Sequence, residues 1–143
     1  MKRMSIYAGL LLLMISNIYA QNPPQKPNAD SMQEFWQKFQ TAVTKGDKQT
    51  VAALSVYPIS MPYGIKNIRN KAQLLKSYRT IFFSEGNAAE CFPKAKPTVD
   101  PQRPNEFTIG CRMTGGSDEE PLVYTFRFGR NGWRFTSFDN INE

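Results

Sequence analysis

Two cysteines, Cys91 and Cys111, are the residues of this chain with the most distinctive chemistry, and histidine is absent. Without histidine, the chain cannot form a Ser-His-Asp or Cys-His catalytic group or a histidine-ligated zinc site. Two cysteines alone also cannot complete a structural zinc site. In an exported chain an even cysteine count predicts one disulfide bond, which would stabilise the fold by about 3 kcal/mol in the chain-entropy model. A redox role is the alternative, although the pair does not form a Cys-x-x-Cys motif.

Carboxylates, tyrosines, lysines and arginines are then the remaining candidates for acid-base chemistry. Asp47 and Glu34 are both interpreted as helix-cap residues. The acidic group 118–120 could bind calcium weakly, but it lacks the spaced oxygen ligands of a dedicated calcium loop, and a solvated hairpin tip is the simpler interpretation. We therefore predict no catalytic residue, no metal and no cofactor.

Four aromatic residues are the candidates for binding a small ligand: Trp36, Tyr57, Tyr63 and Tyr78. Two of them, Trp36 and Tyr78, fall on the inward faces of predicted helices, and the other two flank a proline-containing segment. An apolar cavity with a few hydroxyl groups could hold a small amphiphile. The alternative is ordinary core packing, with each polar tip hydrogen-bonded locally.

Three arginines, Arg112, Arg127 and Arg134, are expected to project from the outer face of the predicted sheet together with threonines. Such a face is typical of a solvated antiparallel sheet. It could also dock an anionic partner, such as an acidic protein or an anionic envelope glycan or lipid. Val123 and Phe138 are predicted to add apolar area to this face, so a sheet-to-sheet homodimer is a further possibility.

The first twenty residues are typical of a secretory signal peptide, with Lys2 and Arg3 before an apolar segment and cleavage expected after Ala20. Residues 21–30 then form a flexible proline-rich leader, and 31–143 a single domain. Removal of the signal peptide leaves 16 basic and 12 acidic residues, a net charge of +4. We expect an exported protein, periplasmic or secreted, with no membrane span and no nucleic-acid partner.

The N-terminal part of the domain has the sequence signals of three helices. A capping box at 31–34 begins the first helix, and Gly46 ends it. Asp47 can cap a second, shorter helix, and Asn70 a third that carries apolar residues as far as Phe82 and ends near Gly86.

The remainder of the chain changes to the alternation of strands. Ala88–Phe92 and Glu106–Met113 are predicted to be antiparallel strands, with Cys91 facing Cys111. The segment 57–64 is predicted to be irregular or an edge strand, because it contains two prolines. The result is an α+β domain with three helices on a curved four-stranded antiparallel sheet.

A hairpin turn at 131–132, Asn-Gly, connects the last two predicted strands. This turn would place Phe128 opposite Phe135 on the inner face and Arg127 opposite Thr136 on the outer face.

The order of these parts resembles that of secreted bacterial nuclear transport factor 2-like domains. The resemblance covers about Ser31 to Phe138 and depends on packing and turn residues: Phe39, Ala42-Val43, Gly46-Asp47-Lys48, Val51 to Leu54, Tyr57-Pro58-Ile59, Ile68, Asn70-Lys71, Leu74-Leu75, Tyr78, Ile81-Phe82 and Trp133. It implies a cone-shaped cavity between the sheet and the helices. The superfamily includes ketosteroid-isomerase-like and polyketide-cyclase-like enzymes, small-molecule binders and dimerising domains, so the resemblance implies a fold rather than one function.

The enzymes of this superfamily need a carboxylate in the cavity, often beside a tyrosine or a second acid. Here the inward strand positions are apolar: Phe107, Ile109, Phe126, Phe128 and Phe135. Our leading hypothesis is therefore an exported non-catalytic binding or protein-interaction domain. The alternative is a cavity enzyme of the isomerase, cyclase or dehydratase type that uses a buried carboxylate and a tyrosine.

Overall fold

The computed structural model of the protein describes residues 26–62, 65–84, 86–112 and 121–140. The predicted signal peptide, Tyr63 and the acidic group 118–120 lie outside these residues. The elements, in chain order, are α1 (Ala29–Thr44), α2 (Lys48–Ala53), β1 (Ser55–Ser60), α3 (Lys71–Arg79), a π-helical turn (Thr80–Ser84), α4 (Ala88–Cys91), β2 (Thr98–Val99), β3 (Glu106–Arg112), β4 (Pro121–Gly129) and β5 (Gly132–Asn140).

The five strands form one mixed sheet in the order β1-β5-β4-β3-β2. The α+β class is confirmed, but the sheet has five strands rather than four, because β1 and the two-residue β2 form its edges. β1 runs parallel to β5, whereas the other pairs are antiparallel. An edge strand tolerates Pro58, since a proline lacks the N–H group that a central strand needs for pairing on both sides.

The segment predicted as the strand Ala88–Phe92 is instead the short helix α4. Five residues of mixed apolar and small side chains cannot distinguish a strand from one helical turn by periodicity alone. The disulfide bond between Cys91 and Cys111 is nevertheless confirmed, with a Cα–Cα distance of 5.8 Å. It links α4 to β3 rather than two strands to each other.

The helix caps are partly as predicted. Asp47 caps α2 and Asn70 caps α3, each accepting a hydrogen bond from a backbone N–H three residues later. The capping box predicted at 31–34 is wrong, because α1 begins earlier: Asn28 Oδ1 accepts a hydrogen bond from the Ser31 N–H at 2.7 Å. Ser31 Oγ instead accepts a hydrogen bond from Trp133 Nε1 at 3.3 Å, which connects α1 to β5.

The β4–β5 hairpin has a different register from the one predicted. Gly132 has a φ of +79°, and no described non-glycine residue has a positive φ, so Asn131 does not adopt the conformation that a type I′ turn requires. Gly132 pairs with Gly129, which places Phe128 opposite Trp133 and Phe126 opposite Phe135. The shift of two residues keeps every side chain in this part of the hairpin on its predicted face.

A β-bulge near the middle of β5 changes the faces beyond it. Thr125 pairs with Ser137 and Phe126 with Phe135, so Thr136 is the extra residue. As a result, Phe138 lies on the inner face, 2% exposed, with its ring centroid 5.0 Å from that of Tyr124. The prediction that Phe138 contributes to the outer face is therefore wrong.

Candidate functional site

The space between the helices and the inner face of the sheet is filled by aromatic side chains. Phe39 of α1 contacts Phe126 of β4 with ring centroids 4.9 Å apart, and Phe92 contacts Tyr124 at the same distance. The rings that are at most 2% exposed belong to Trp36, Phe39, Tyr78, Phe82, Phe92, Phe107, Tyr124, Phe126, Phe135 and Phe138. This packing occupies the region where a ligand cavity would otherwise lie.

Trp36 lies within this aromatic core. Its ring is 5.0 Å from Phe92, 5.8 Å from Phe126 and 6.4 Å from Phe107, measured between centroids. At 2% exposure, Trp36 could contact a ligand only after these rings had moved apart.

Tyr57 and Tyr78, the described tyrosines among these candidates, do not line one recess together with Trp36. Tyr57 is half-buried, and its hydroxyl donates to the Ala52 carbonyl at 3.3 Å. Tyr78 is buried against Phe82, and its hydroxyl donates to the Val43 carbonyl at 3.4 Å. Burial raises the pKa of Tyr57, and burial together with the charge of Asp47 raises the pKa of Tyr78 to about 12.

The outer face of the sheet carries the three predicted arginines. Arg127 and Arg134 are direct cross-strand partners on β4 and β5. Arg112 pairs with Pro121 at the other end of the sheet. Six residues of strand separate this end from Arg127, a distance of about 20 Å. The structure therefore brings two of the three arginines together.

Glu106 binds Arg127, one member of this pair, and the sequence interpretation did not identify it. Its side chain is 7% exposed, and Arg127 Nε donates to its Oε2 at 2.6 Å. Arg103 Nη1 lies 2.7 Å from the other carboxylate oxygen, Oε1. Glu106 lies directly opposite Arg127 on the neighbouring strand. A correct register for β3 and β4 would therefore have predicted the contact from the sequence.

Charge is unbalanced around this carboxylate. Arg103 also bonds Asp100 at 3.0 Å, so its charge is shared between two acids. Hydrogen bonds from the Gln102 N–H and from Arg103 lower the pKa of Asp100, and the Asp100 hydrogen bond together with the charge of Glu106 raises the pKa of Arg103. Arg134 donates to its own strand, at the Trp133 carbonyl, and forms no ion pair with a described residue.

A depression of about 380 Å³ lies beside Arg127, where β1 meets β5. Val56 is exposed there, with 46% of its surface accessible. The depression is lined by Val56, Pro58, Ser60, Arg127, Thr136, Ser137, Phe138 and Asp139. It combines a cation, an anion, hydroxyl groups and a small apolar surface.

No group of three or more potential metal ligands occurs among the described residues. Over the same parts of the chain, every helix is too short or too polar to cross a membrane.

No protein-family model and no curated protein matches the sequence. Solved structures do match the fold. A protein of unknown function with a cystatin-like fold from Methylobium petroleophilum superposes with a TM-score of 0.51 and 14% identity, covering 82% of this chain and 78% of that one. The chain has the cystatin-like, nuclear transport factor 2-like fold.

Two further solved structures match at lower TM-scores. A nuclear transport factor 2-like protein from Novosphingobium aromaticivorans gives a TM-score of 0.42 at 18% identity, with 78% of this chain and 79% of that one covered. A ketosteroid isomerase from a Mycobacterium species gives 0.47 at 18% identity, with 79% and 93% covered. A similar fold does not imply a similar activity.

Proposed function

We propose that the protein is an exported, non-catalytic interaction domain that docks an anionic partner on the outer face of its sheet. The observation that carries this proposal is the pair of directly opposed arginines, Arg127 and Arg134, beside an open depression. Like charges directly opposite each other in a sheet repel, and Glu106 binds Arg127 but not Arg134. An anionic group placed between the arginines would remove the remaining repulsion.

The two binding modes expected from the sequence differ in their support. A small apolar ligand in the cone would have to displace the aromatic core around Trp36, which is close-packed. Docking on the sheet face requires no such rearrangement, since the side chain of Arg127 is 60% exposed. We therefore favour the sheet face.

The enzymatic alternative has less support from the geometry. Glu106 is the buried carboxylate among the described residues, and it faces away from the helices, with both oxygens bound by arginines. The hydroxyl groups of Tyr78 and Tyr124 donate to backbone carbonyls of the core. A buried acid beside a tyrosine is thus not found in these parts of the chain.

Export is the second part of the proposal. The disulfide bond is typical of an oxidising, exported environment. We expect the mature protein, purified from its native compartment, to have Gln21 at its amino terminus. An intact N-terminus in mass spectrometry would contradict export by signal-peptide cleavage.

The docking proposal can be tested with defined anionic probes. We expect the protein to bind polyglutamate, as a stand-in for an acidic protein, with an affinity that decreases with salt. The double substitution Arg127→Gln with Arg134→Gln removes both charges without placing a second carboxylate against Glu106, and it should abolish binding. The double substitution Lys38→Gln with Lys94→Gln makes the same change in net charge at exposed positions away from the arginine pair, and it should retain binding.

Sulfated dextran and vesicles containing phosphatidylglycerol serve as the glycan and lipid arms of the experiment. Selective binding to either would identify the partner as a glycan or a lipid surface instead of a protein. Equal losses in the two double variants would show that binding reflects net charge alone and would overturn the proposal.

A further inference from the structure

A second recess lies on the helical side of the molecule, away from the outer sheet face. It has a volume of about 300 Å³ and is formed where α2, α3 and the π-helical turn meet. Its lining consists of Gly46, Lys48, Tyr78, Arg79 and Phe83. Aromatic surface at the base and two cations at the rim distinguish it from the depression beside Arg127.

The π-helical turn creates the aromatic base of this recess. In an α-helix the side chain at position i lies over that at i+4, whereas a π-helical turn brings i and i+5 into register. Tyr78 and Phe83 accordingly lie together, with ring centroids 5.9 Å apart and planes inclined by 43°. Single π-helical turns within α-helices occur frequently at functional sites.

Phe83 is one of the few large apolar side chains that the fold leaves exposed. It is 37% exposed, whereas its neighbours Ile81 and Phe82 are completely buried. Tyr78 lies beneath it, anchored through Phe82 at a centroid distance of 5.0 Å. The platform is therefore rigid on its inner side and open on its outer side.

Two cations border this platform. Lys48 Nζ lies 5.4 Å above the ring centroid of Tyr78, within the range of a cation–π contact. Arg79 precedes the π-helical turn at the end of α3. Neither residue forms an ion pair with a described residue. Among the described residues, Asp47 is the acid of this region, and its carboxylate already caps α2.

We propose that this recess binds a small aromatic carboxylate. The ring of the ligand would stack on Phe83, and its carboxylate would bind Lys48 and Arg79, with the lysine moving from the face of Tyr78 toward the anion. The exposed ring of Phe83 favours a flat aromatic ring in the ligand, and the two cations favour an anionic group. The volume lies at the lower end of the range for small-molecule sites, so the ligand is of one or two rings.

The experiment uses 2-naphthoate as the probe and follows the backbone amide signals of the mature protein by NMR. Because the recess is open, we expect a dissociation constant of about 1 mM, in keeping with the affinity per atom of ligands of this size. The shifted signals should belong to residues 46–48 and 78–83. The neutral analogue 2-naphthylmethanol and the non-aromatic cyclohexanecarboxylate should each bind at least about tenfold more weakly.

Substitutions separate the two parts of the site. Phe83→Ala removes the platform, and Lys48→Gln with Arg79→Gln removes the charge at exposed positions where the fold is not at risk. Each should weaken 2-naphthoate binding about tenfold or more. The control Lys38→Gln with Lys94→Gln makes the same change in net charge elsewhere and should have no effect.

The outcomes that overturn the proposal are specific. The proposal is wrong if binding of 2-naphthoate does not saturate at about 20 mM, or if either analogue binds as tightly as 2-naphthoate. It is also wrong if the Lys48→Gln/Arg79→Gln variant binds 2-naphthoate as tightly as the natural protein does. The Arg127→Gln/Arg134→Gln variant should bind 2-naphthoate normally, because the recess is independent of the outer sheet face. A negative result for docking on the sheet face would therefore not contradict binding in the recess, and a negative result for the recess would not contradict docking.

Discussion

Glu106 shows how one residue can control the charge of a whole surface. A carboxylate that is 7% exposed is stable there only because each oxygen is bound by an arginine. The two arginines themselves are about 60% exposed and remain solvated if the carboxylate is lost. The cost of losing it should therefore be smaller than for a fully buried pair.

We predict that Glu106→Gln lowers the free energy of unfolding by about 1.5–3 kcal/mol, the usual size for a hydrogen bond to a charged group. Urea unfolding followed by circular dichroism measures this change. Asp100→Asn is the matched control, because it removes an exposed partner of Arg103 and should cost about 0.5 kcal/mol or less. Equal costs for the two variants would contradict a special role of the buried carboxylate.

Tyr78 gives the molecule a predictable response to alkaline pH. Its pKa is raised to about 12, from an ordinary value near 10, so the folded state retains the phenolic proton longer than the unfolded state. The stabilisation is complete below pH 10 and is lost as the pH rises from 10 to 12. Tyr78→Phe should therefore flatten the decline of the unfolding free energy over this interval. Chemical denaturation at several pH values measures the slope, and an unchanged slope in the variant would contradict the assignment.

At the scale of elements, α1 depends on a residue that precedes the predicted domain boundary. Asn28 caps the helix by accepting a hydrogen bond from the Ser31 N–H. Among the described contacts, Glu34 forms no hydrogen bond with that N–H, as a capping box would require. Asn28→Ala should lower the free energy of unfolding by about 1 kcal/mol. Glu34→Ala should change it by less than about 0.5 kcal/mol. The reverse order in thermal or urea unfolding would favour the capping box at 31–34.

The disulfide bond fastens α4, an element of only four residues, to β3 of the sheet. Reduction should lower the free energy of unfolding by about 3 kcal/mol in the chain-entropy model, because it releases a loop of some twenty residues in the unfolded state. We expect a lower Tm with the aromatic core still folded at room temperature. A Cys91→Ser/Cys111→Ser variant should show the lower Tm with or without reductant. An unchanged Tm on reduction of the natural protein would contradict this role.

The sequence predicted those elements whose signals are local and repeated. Helical periodicity with an Asx cap identified α2 and the start of α3, and strict alternation identified β3 and β4. The short elements were not predicted correctly. One turn of helix in α4 and two residues in β2 contain too few side chains to define a period. The bulge at Thr136 was not predicted for another reason. It is determined by the pairing of β5 with β4, and no residue type within β5 indicates it.

The candidate site was less predictable than the fold, for the same physical reason. The outward direction of Arg127 follows from alternation, but its contact with Glu106 depends on register across twenty-one residues of chain. The recess at Phe83 depends on a π-helical turn, which no periodicity of the sequence indicates. Whether the cone is open or filled depends on how all the aromatic rings pack together, which is a property of the three-dimensional structure.

At the scale of the whole molecule, the outer sheet face could also bind a second copy of the chain. Val56 is exposed on this face, and Asp139 lies in the same depression as Arg127. A two-fold axis through such a surface places the acid of one copy near the arginine of the other, so the face can be complementary to itself. An anionic partner would then compete with the homodimer for the same arginines.

We therefore predict weak self-association through this face, with monomer and dimer both present at about 0.1–1 mM protein, the range in which small polar interfaces associate. Asp139→Lys should shift the equilibrium to the monomer, because it replaces the acid that would lie near Arg127 of the other copy by a like charge. Glu34→Lys makes the same change in net charge at an exposed position of α1 and should leave the equilibrium unchanged. Sedimentation equilibrium measures both variants, and polyglutamate added to the natural protein should dissociate the dimer. A natural protein that stays monomeric at about 1 mM, or a dimer that Asp139→Lys does not weaken, would exclude the sheet face as the interface between copies.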